Sequence, residues 1–243
     1  MNLKTISCVV TGAARGIGFA TARMLLEAQA RVVLSDSDAP ALEAAVAELR
    51  TSAAIGFQAD VTSAPDMAAL AAAAAGHAGS VALWINNAGL ARHRAITDYS
   101  PEEIDLMLGV NLKGTILGSQ AALRVMRHQR RGHIINIIST AGLRGIPGEA
   151  VYCAAKCGVR GFTQALREEG APFGVRVTAL LPGGVDTTFW QGATDRTMPV
   201  EDFLSAQQVA EAVVSLAQMN EKVVPQELVL RALGDRDFAA PTP

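Results

Sequence analysis

The stretch ISCVVTGAARGIGFATARMLLEA, residues 6–28, decides the fold. An apolar strand leads directly into a glycine-rich turn, and the turn leads into a helical pattern. Glycine lets the backbone turn tightly and approach a pyrophosphate, while the following helix presents free N–H groups and a partial positive charge. Gly12, Gly16 and Gly18 supply this surface. Because any tight strand-to-helix connection favours glycine, the rest of the chain must provide the context.

An acidic residue closes the next apolar run. The segment VVLSD ends at Asp36, eighteen residues after Gly18. When a glycine-rich turn lies between a strand and a helix, an acid in this place accepts hydrogen bonds from the ribose of a dinucleotide. An ordinary polar residue at a strand end is the alternative interpretation of Asp36.

Short β-rich runs alternate with longer helical patterns along the chain. Strands are expected at residues 5–11, 31–36, 54–59, 81–86, 132–139, 174–181 and 227–231. Helices are expected at residues 16–29, 39–51, 64–76, 101–128, 150–170 and 206–218. The capping motifs SPEE, from Ser100, and SAQQ, from Ser205, mark two helix starts. No linker separates these segments, so residues 1–243 are expected to form one domain.

The composition indicates how the strands are covered. Of the 243 residues, 50% are hydrophobic and only 5% aromatic. Runs such as CVVTG and HIINIIS are apolar without a period of two, as expected for strands buried on both faces of a parallel sheet. The alternation therefore predicts an α/β, doubly wound (Rossmann) fold with a seven-stranded parallel sheet and helices on both faces.

The charge pattern argues against nucleic acid as a partner. The formal charge is −2, and Lys and Arg are scattered rather than gathered on one segment. No window approaches the roughly 18 apolar residues of a membrane span, and the N-terminal apolar run is short for a signal peptide. A cytoplasmic protein without membrane association is expected. No metal site is expected, because the three cysteines and four histidines show no ligand spacing.

A tyrosine and a lysine lie four positions apart in YCAAK, residues 152–156. On a helix this spacing places Tyr152 and Lys156 on one face. The pair suits acid–base catalysis, although an exposed Tyr–Lys pair is also common on helix surfaces. An ammonium about 4 Å away contributes roughly 4 kcal/mol at an effective dielectric constant of about 20. That contribution is expected to bring the tyrosine pKa from about 10 to about 7.

The glycine spacing in TGAARGIG, residues 11–18, resembles the cofactor loop of the short-chain dehydrogenase/reductase family. Further motifs similar to those of the family follow in order over residues 5–231: DV at 60–61, NNAG at 86–89, Asn111 in VNLKG, Ser139 in NIIS, YCAAK at 152–156 and PGGVDT at 182–187. The resemblance implies a nicotinamide cofactor that exchanges a hydride with a small-molecule secondary alcohol or ketone.

The resemblance implies catalytic roles for four residues. Tyr152 exchanges a proton with the substrate oxygen, and Lys156 lowers the pKa of Tyr152 and reaches the nicotinamide ribose. Ser139 donates a hydrogen bond to the substrate oxygen, and Asn111 holds a water that links Lys156 to solvent. Without the resemblance, Ser139 is interpreted as a residue that caps a strand end and Asn111 as a buried amide at a helix kink.

The resemblance also implies the cofactor contacts. Asp60 and the Val61 backbone contact the adenine. Asn87 and its neighbours contact the adenine-side ribose, and Thr187 holds the nicotinamide carboxamide. The expected cofactor residues are Gly12, Arg15, Gly16, Ile17, Gly18, Asp36, Asp60, Val61, Asn87, Ala88, Gly89, Tyr152, Lys156, Pro182, Gly183, Val185 and Thr187.

The choice between NAD and NADP depends on two charged residues. The carboxylate of Asp36 accepts from a ribose hydroxyl and repels a 2′-phosphate, whereas Arg15 attracts that phosphate. No second basic residue follows Asp36 in SDSD, residues 35–38. NAD is therefore expected rather than NADP.

Substrate identity depends on residues 141–149 and 188–204. These segments combine apolar side chains with Arg144 and Glu149, so an apolar and a polar substrate both remain open. His93, in LARHRA, follows the NNAG loop within reach of the cleft, but a solvated loop residue is the expected interpretation. Two other functions are considered: an NADPH-dependent reductase of 3-oxoacyl groups on acyl carrier protein, and a cofactor-sensing protein without catalysis. The intact catalytic set argues against the second.

A homodimer or homotetramer is expected, with the helices at residues 101–128 and 150–170 as candidates for the interface. The C-terminal segment ELVLRALGDRDFAAPTP departs from the family pattern, because many members have a glycine pair after the last strand. This region often borders a subunit contact in the family, so the departure leaves dimer and tetramer both open.

Overall fold

The computed structural model of the protein describes residues 2–191, 193 and 199–234. The strands within these residues are β1 (Ser7–Thr11), β2 (Arg31–Asp36), β3 (Ala54–Gln58), β4 (Leu83–Asn86), β5 (Gly132–Ile137), β6 (Val175–Pro182), β7 (Val185–Asp186), β8 (Leu204–Ser205) and β9 (Glu227–Leu230). The α-helices are α1 (Gly16–Glu27), α2 (Ala39–Leu49), α3 (Ala64–Ala78), α4 (Pro101–Leu108), α5 (Gly114–Gln129), α6 (Ala150–Gly170) and α7 (Ala206–Gln218).

Seven strands form one parallel sheet in the order β3-β2-β1-β4-β5-β6-β9. Cys8 of β1 aligns with Val32 on one side and Leu83 on the other, which places β1 between β2 and β4. Successive strands are added outward from β1 on one side and outward from β4 on the other, so the strand order switches direction between β1 and β4. Ligands of such sheets bind at the carboxyl ends of the strands, at this switch point. The predicted Rossmann fold is confirmed.

Helices cover both faces of the sheet. Val9 and Val10 are fully buried neighbours in β1 that belong to opposite faces. Val10 packs in a cluster that includes Leu25 of α1, with further residues of α2 and α7, whereas Val9 packs in a cluster that includes Met67 of α3 and Met126 of α5. Burial on both faces explains why the strand sequences show no alternation.

The two predicted helix starts are confirmed. The Ser100 and Ser205 side chains accept hydrogen bonds from the backbone N–H groups of Glu103 and Gln208. In return, the side chains of Glu103 and Gln208 accept from the backbone N–H groups of the two serines. Each reciprocal pair satisfies N–H groups that a helix start leaves without intrahelical partners.

The helix expected at residues 101–128 is interrupted between α4 and α5 by one π-helical turn, Gly109–Lys113. Asn111 in this turn is fully buried, and its side-chain amide donates to the carbonyl oxygens of Leu90 and Met107. The prediction of one continuous helix was wrong because this irregular turn is held by the segment after β4, which lies far away in sequence.

A second, two-stranded parallel sheet was not predicted. Val185 of β7 aligns with Leu204 of β8, and Asp186 aligns with Ser205. The pairing brings the segment before α7 close to the carboxyl end of β6. Sequence periodicity gives no signal for strands of two residues.

The helices are amphipathic rather than uniformly apolar. The longest, α6, has 21 residues but carries Lys156, Arg160 and Arg167. Among the residues that the structure describes, no helix is both long enough and apolar enough to cross a membrane.

Candidate active site

A cavity of about 770 Å³ lies at the carboxyl ends of the strands. Its lining includes residues that end or directly follow five strands: Gly12, Asp36, Asn87, Ile138 and Gly183. The predicted site residues in the lining are Gly12, Arg15, Gly16, Ile17, Asp36, Asp60, Val61, Asn87, Ala88, Gly89, Ser139, Tyr152, Lys156, Pro182, Gly183, Val185 and Thr187. Gly18 and Asn111 are not part of this lining.

The glycine loop has the backbone that its sequence predicts. Gly12 and Gly16 have φ angles of +62° and +56°, which favour glycine. A Cβ on Gly12 would also lie 2.8 Å from the Cα of Ala88. Gly18 differs, since a Cβ there would lie 2.2 Å from the Gly12 carbonyl oxygen. The structure therefore places Gly18 where α1 packs closely under the glycine loop.

Asn87 holds the glycine loop against β4. Its side-chain amide donates to the carbonyl oxygens of Thr11 at 2.9 Å and Gly12 at 3.0 Å. The backbone N–H groups of Asn87 and Ala88 donate to the Thr11 hydroxyl at 3.0 and 3.1 Å. Sequence reasoning missed Thr11, although its place directly before the first glycine of the loop is a usable signal. These bonds fix the shape of the loop within the protein itself.

The N-terminus of α1 opens into the cavity without a side-chain cap. Arg15 precedes the helix in an extended conformation and makes no capping hydrogen bond, and no acidic residue lies in the first turn. Gly16 and Ile17 line the cavity at this point. The free N–H groups and the positive end of the helix dipole are therefore available to an anion. The residues present fit the pyrophosphate of a dinucleotide.

Asp36 faces both the glycine loop and the cavity. One carboxylate oxygen accepts from the Ala14 N–H at 3.1 Å, and the other accepts from the Asp38 N–H at 3.1 Å. Each oxygen retains acceptor capacity for a ribose hydroxyl. The Arg15 guanidinium forms an ion pair with the Asp38 carboxylate. The positive charge of Arg15 is thus already matched by a second carboxylate.

Asp60 and Val61 line the cavity after β3. One oxygen of Asp60 accepts from the N–H and the hydroxyl of Thr62, both at 2.8 Å. On another side of the cavity, the Thr187 methyl group lies 3.4 Å from the position of a Cβ on Gly16. The geometry places these residues around one space, and their individual contacts with cofactor atoms stay predictions.

Ser139, Tyr152 and Lys156 come together at one part of the cavity. Tyr152 and Lys156 lie one turn apart on α6 and are 8% and 4% exposed, with the lysine Nζ 5.4 Å from the centroid of the tyrosine ring. Nζ donates to the Ile137 carbonyl oxygen at 3.3 Å. Ser139, just beyond β5, accepts from the Ala141 N–H at 3.1 Å and lies near enough to Tyr152 for its side chain to lower the tyrosine pKa.

Burial determines the protonation states of Tyr152 and Lys156. Burial raises the pKa of Tyr152, and the hydrogen bond with Ser139 opposes this only in part, while the charge of Glu149 raises it further. Burial lowers the pKa of Lys156 to about 8. The expected lowering of the Tyr152 pKa to about 7 was wrong for the protein by itself, because burial disfavours the phenolate and is the largest influence on this pKa. Tyr152 is a phenol at neutral pH, the form that donates a proton.

Asn111 lies behind Lys156. A Cβ on Gly89 would lie 2.9 Å from Asn111 Oδ1 and 3.7 Å from Lys156 Nζ, so both residues border the same glycine. Asn111 Oδ1 also accepts from the Leu90 N–H at 3.3 Å. The observed contacts of the side chain satisfy backbone groups at the helix irregularity. A water-holding role for Asn111 stays a prediction.

His93 is buried against the cavity rather than solvated. Its side chain is 5% exposed, and its Nε2 lies 3.8 Å from Glu149 Oε1. Its ring meets the Trp190 ring edge-on, with centroids 5.7 Å apart. The prediction of a solvated loop histidine was wrong, because the His93 backbone N–H donates to the Ala193 carbonyl at 2.7 Å and draws the segment inward.

Aromatic side chains close the same part of the cavity. The Phe189 ring lies 6.1 Å from the Tyr152 ring and 5.4 Å from the Trp190 ring. Trp190 lies 5.3 Å from Phe203, and its indole N–H donates to the Val185 carbonyl at 2.8 Å. The sequence left open whether the substrate is apolar or polar, and this part of the cavity has side chains of both kinds.

A dinucleotide cradle that leads to a buried serine, tyrosine and lysine defines a nicotinamide-dependent oxidoreductase as the class of protein. Residues 7–197 match the family described as short chain dehydrogenase. The chain belongs to this family, and the family resemblance of its motifs is confirmed.

Relatives and solved structures agree with this assignment. The chain is 37% identical to an uncharacterized oxidoreductase of Staphylococcus epidermidis over 230 residues, 95% of this chain and 98% of that protein. It is 37% identical to an uncharacterized oxidoreductase of Staphylococcus aureus over 225 residues, 92% of this chain and 95% of that protein. An alcohol dehydrogenase from the archaeon Thermococcus sibiricus, complexed with 5-hydroxy-NADP, superposes with a TM-score of 0.85 and 29% identity over 94% of this chain and 97% of that chain.

Proposed function

We propose that this oxidoreductase transfers a hydride between NAD and a secondary alcohol or ketone, with Tyr152 as the general acid or base. The observation that carries the proposal is the buried Tyr152, one helical turn from Lys156, which lines one cavity together with Ser139 and the glycine loop. Nicotinamide, when bound, supplies the two-electron chemistry by exchanging a hydride with the carbinol or carbonyl carbon.

The protein residues then account for the proton and the charge. In ketone reduction, the Tyr152 phenol donates its proton to the carbonyl oxygen as negative charge develops there. The Ser139 hydroxyl donates a hydrogen bond to the same oxygen. The Lys156 ammonium, with a pKa of about 8, is mostly charged at neutral pH and stabilises the phenolate that Tyr152 leaves behind. In alcohol oxidation the proton moves in the opposite direction, and Tyr152 accepts it from the alcohol.

The charges near Asp36 support NAD over NADP. The Asp36 carboxylate repels a 2′-phosphate by roughly 4 kcal/mol at about 4 Å and an effective dielectric constant of about 20. Arg15, the cation that would offset this repulsion, is paired with Asp38. The NADP derivative in the Thermococcus sibiricus alcohol dehydrogenase makes NADP the second candidate. We propose a preference for NAD of at least about tenfold in kcat/KM, which requires about 1.4 kcal/mol.

Tyr152→Phe tests the proposal. The change keeps the ring and removes only the hydroxyl, so cofactor binding should survive while turnover falls by roughly 10²–10⁴-fold. Ser52→Ala is the control, because it also removes one hydroxyl, from an exposed side chain in the turn before β3 that does not line the cavity. Turnover of a panel of secondary alcohols and ketones and cofactor binding by calorimetry are measured for both variants. Equal turnover by Tyr152→Phe and the wild type would refute the assignment.

A further inference from the structure

Five side chains close a ring around one part of the cavity, here named the substrate ring. Tyr152 faces Phe189 with ring centroids 6.1 Å apart, and Phe189 meets Trp190 edge-on at 5.4 Å. Trp190 contacts His93 at 5.7 Å, and His93 Nε2 lies 3.8 Å from Glu149 Oε1. The ring closes through the chain itself, because Glu149 occupies the N-cap position of α6, three residues before Tyr152. All five residues line the cavity.

The substrate ring has two chemically different arcs that meet at Tyr152. Phe189 and Trp190 form an aromatic arc, which suits a flat apolar group. His93 and Glu149 form a polar arc with a carboxylate, which accepts hydrogen bonds. When the reacting oxygen lies at Tyr152, one substituent of the reacting carbon faces the aromatic arc and the other faces the polar arc.

The polar arc is held in place by backbone contacts. The Arg94 N–H donates to the Gly148 carbonyl oxygen at 2.9 Å, which joins the segment after β4 to the segment before α6. The Tyr99 hydroxyl donates to the Arg92 carbonyl oxygen and reinforces the same join. Side chains that are positioned before a ligand arrives bind it with a smaller entropic cost. The arc is therefore suited to recognise a specific group.

The charges around the ring decide which group the polar arc favours. Arg92, Arg144 and Asp202 also line the cavity, and the Arg92 guanidinium donates to the Ala91 carbonyl oxygen. Arg144 is exposed, so water screens its charge, whereas the Glu149 side chain is only 16% exposed and its negative charge acts on the Tyr152 phenol, where the reacting oxygen would lie. A hydrogen-bond donor beside the reacting carbon is thus favoured over a carboxylate.

We propose that the substrate ring selects a secondary alcohol or ketone with an aryl group on one side of the reacting carbon and a hydrogen-bond donor on the other. The donor is a hydroxyl or an ammonium on the adjacent carbon, and Glu149 accepts its hydrogen bond. In oxidation, the C–H electron pair leaves with the hydride to NAD, and the O–H proton passes to ionised Tyr152. The inference rests on the proposed function and adds the substrate class to it.

Binding is tested first, because it does not depend on turnover. Calorimetry on the protein saturated with NAD, which cannot reduce a ketone, compares acetophenone, 2-hydroxyacetophenone, 2-aminoacetophenone and phenylglyoxylate. The hydroxy and amino ketones are expected to bind roughly tenfold to a hundredfold more tightly than acetophenone. In Glu149→Gln the amino preference should fall by at least about tenfold and the hydroxy preference less, because glutamine keeps an acceptor oxygen but loses the charge. Glu48→Gln, on the exposed side of α2, is the matched control.

Each result decides the inference. Equal binding of acetophenone and the donor-bearing ketones, tighter binding of phenylglyoxylate, or unchanged preferences in Glu149→Gln would overturn it. Equal binding of 1-hydroxy-2-butanone and 2-hydroxyacetophenone would overturn the aryl part.

Turnover separates this inference from the proposed function. The ratio of kcat/KM for 1-phenyl-1,2-ethanediol to that for 1-phenylethanol should exceed about ten in the wild type and fall in Glu149→Gln. Oxidation of alcohols without this preference would overturn the inference and leave the proposed function standing. The binding preference without oxidation or reduction of any alcohol or ketone would support the recognition and refute the proposed function.

Discussion

Replacing Lys156 by methionine is expected to stabilise the protein while lowering its turnover. The ammonium is buried, and burial lowers its pKa from 10.5 to about 8. Since one pKa unit corresponds to about 1.36 kcal/mol, keeping this charge in the folded protein costs roughly 3 kcal/mol at neutral pH. Methionine occupies a similar volume without charge, and loses the hydrogen bond from Nζ to the Ile137 carbonyl, worth about 1 kcal/mol. The variant should be more stable by about 2 kcal/mol.

The stability difference between Lys156→Met and the wild type is expected to depend on pH. Lys156 loses its proton near pH 8 in the folded protein and near pH 10.5 in the unfolded chain. Between these values the unfolded state binds more protons at Lys156, so the cost of this charge to the folded protein falls as the pH rises and the advantage of the variant shrinks. Urea unfolding followed by circular dichroism, at pH about 7 and about 9.5 without cofactor, measures the free energy of unfolding of both proteins.

Lys222→Met is the control for this measurement. Lys222 is exposed in the turn after α7, so its replacement should give no advantage that disappears at high pH. If Lys156→Met is no more stable than the wild type at neutral pH, or if its advantage is the same at both pH values, the account of a buried, costly ammonium is wrong.

Four further predictions concern the cofactor, the reaction, the core and the assembly. Asp36→Ala should lower kcat/KM with NAD and raise it with NADP, because the repulsion of the 2′-phosphate disappears; a wild type that prefers NADP would contradict this. Alcohol oxidation should accelerate from neutral to alkaline pH while ketone reduction does not, because burial raises the pKa of Tyr152 and keeps the phenol protonated. The pH profiles of kcat/KM in both directions test this prediction, and parallel profiles would count against it. Gly118→Ala should cost roughly 1–3 kcal/mol in urea unfolding, since its Cβ would lie 2.2 Å from the buried Asn86 Oδ1, and an unchanged midpoint would show that the core relaxes freely. Analytical ultracentrifugation should show a homodimer or homotetramer, and a monomer at all concentrations would exclude both.

The sequence by itself determined the succession of the main strands and helices and a large part of the cavity lining. Local signals suffice for this, because apolar runs, glycine turns and capping motifs act within a few residues. The spacing of Tyr152 and Lys156 fixes a shared helix face wherever the helix packs. The carboxyl ends of parallel strands meet at one edge, so Gly12, Asp36 and Asn87 had to converge once the fold was known.

Tertiary structure alone decided the features that depend on partners distant in sequence. The π-helical turn requires a contact between Asn111 and Leu90, and the pairing of Arg15 with Asp38 requires the loop and the end of β2 to meet. His93 is buried because Trp190 and Ala193 lie against it. The raised pKa of Tyr152 follows from burial, which a sequence cannot measure, and burial outweighed the attraction that spacing alone suggested.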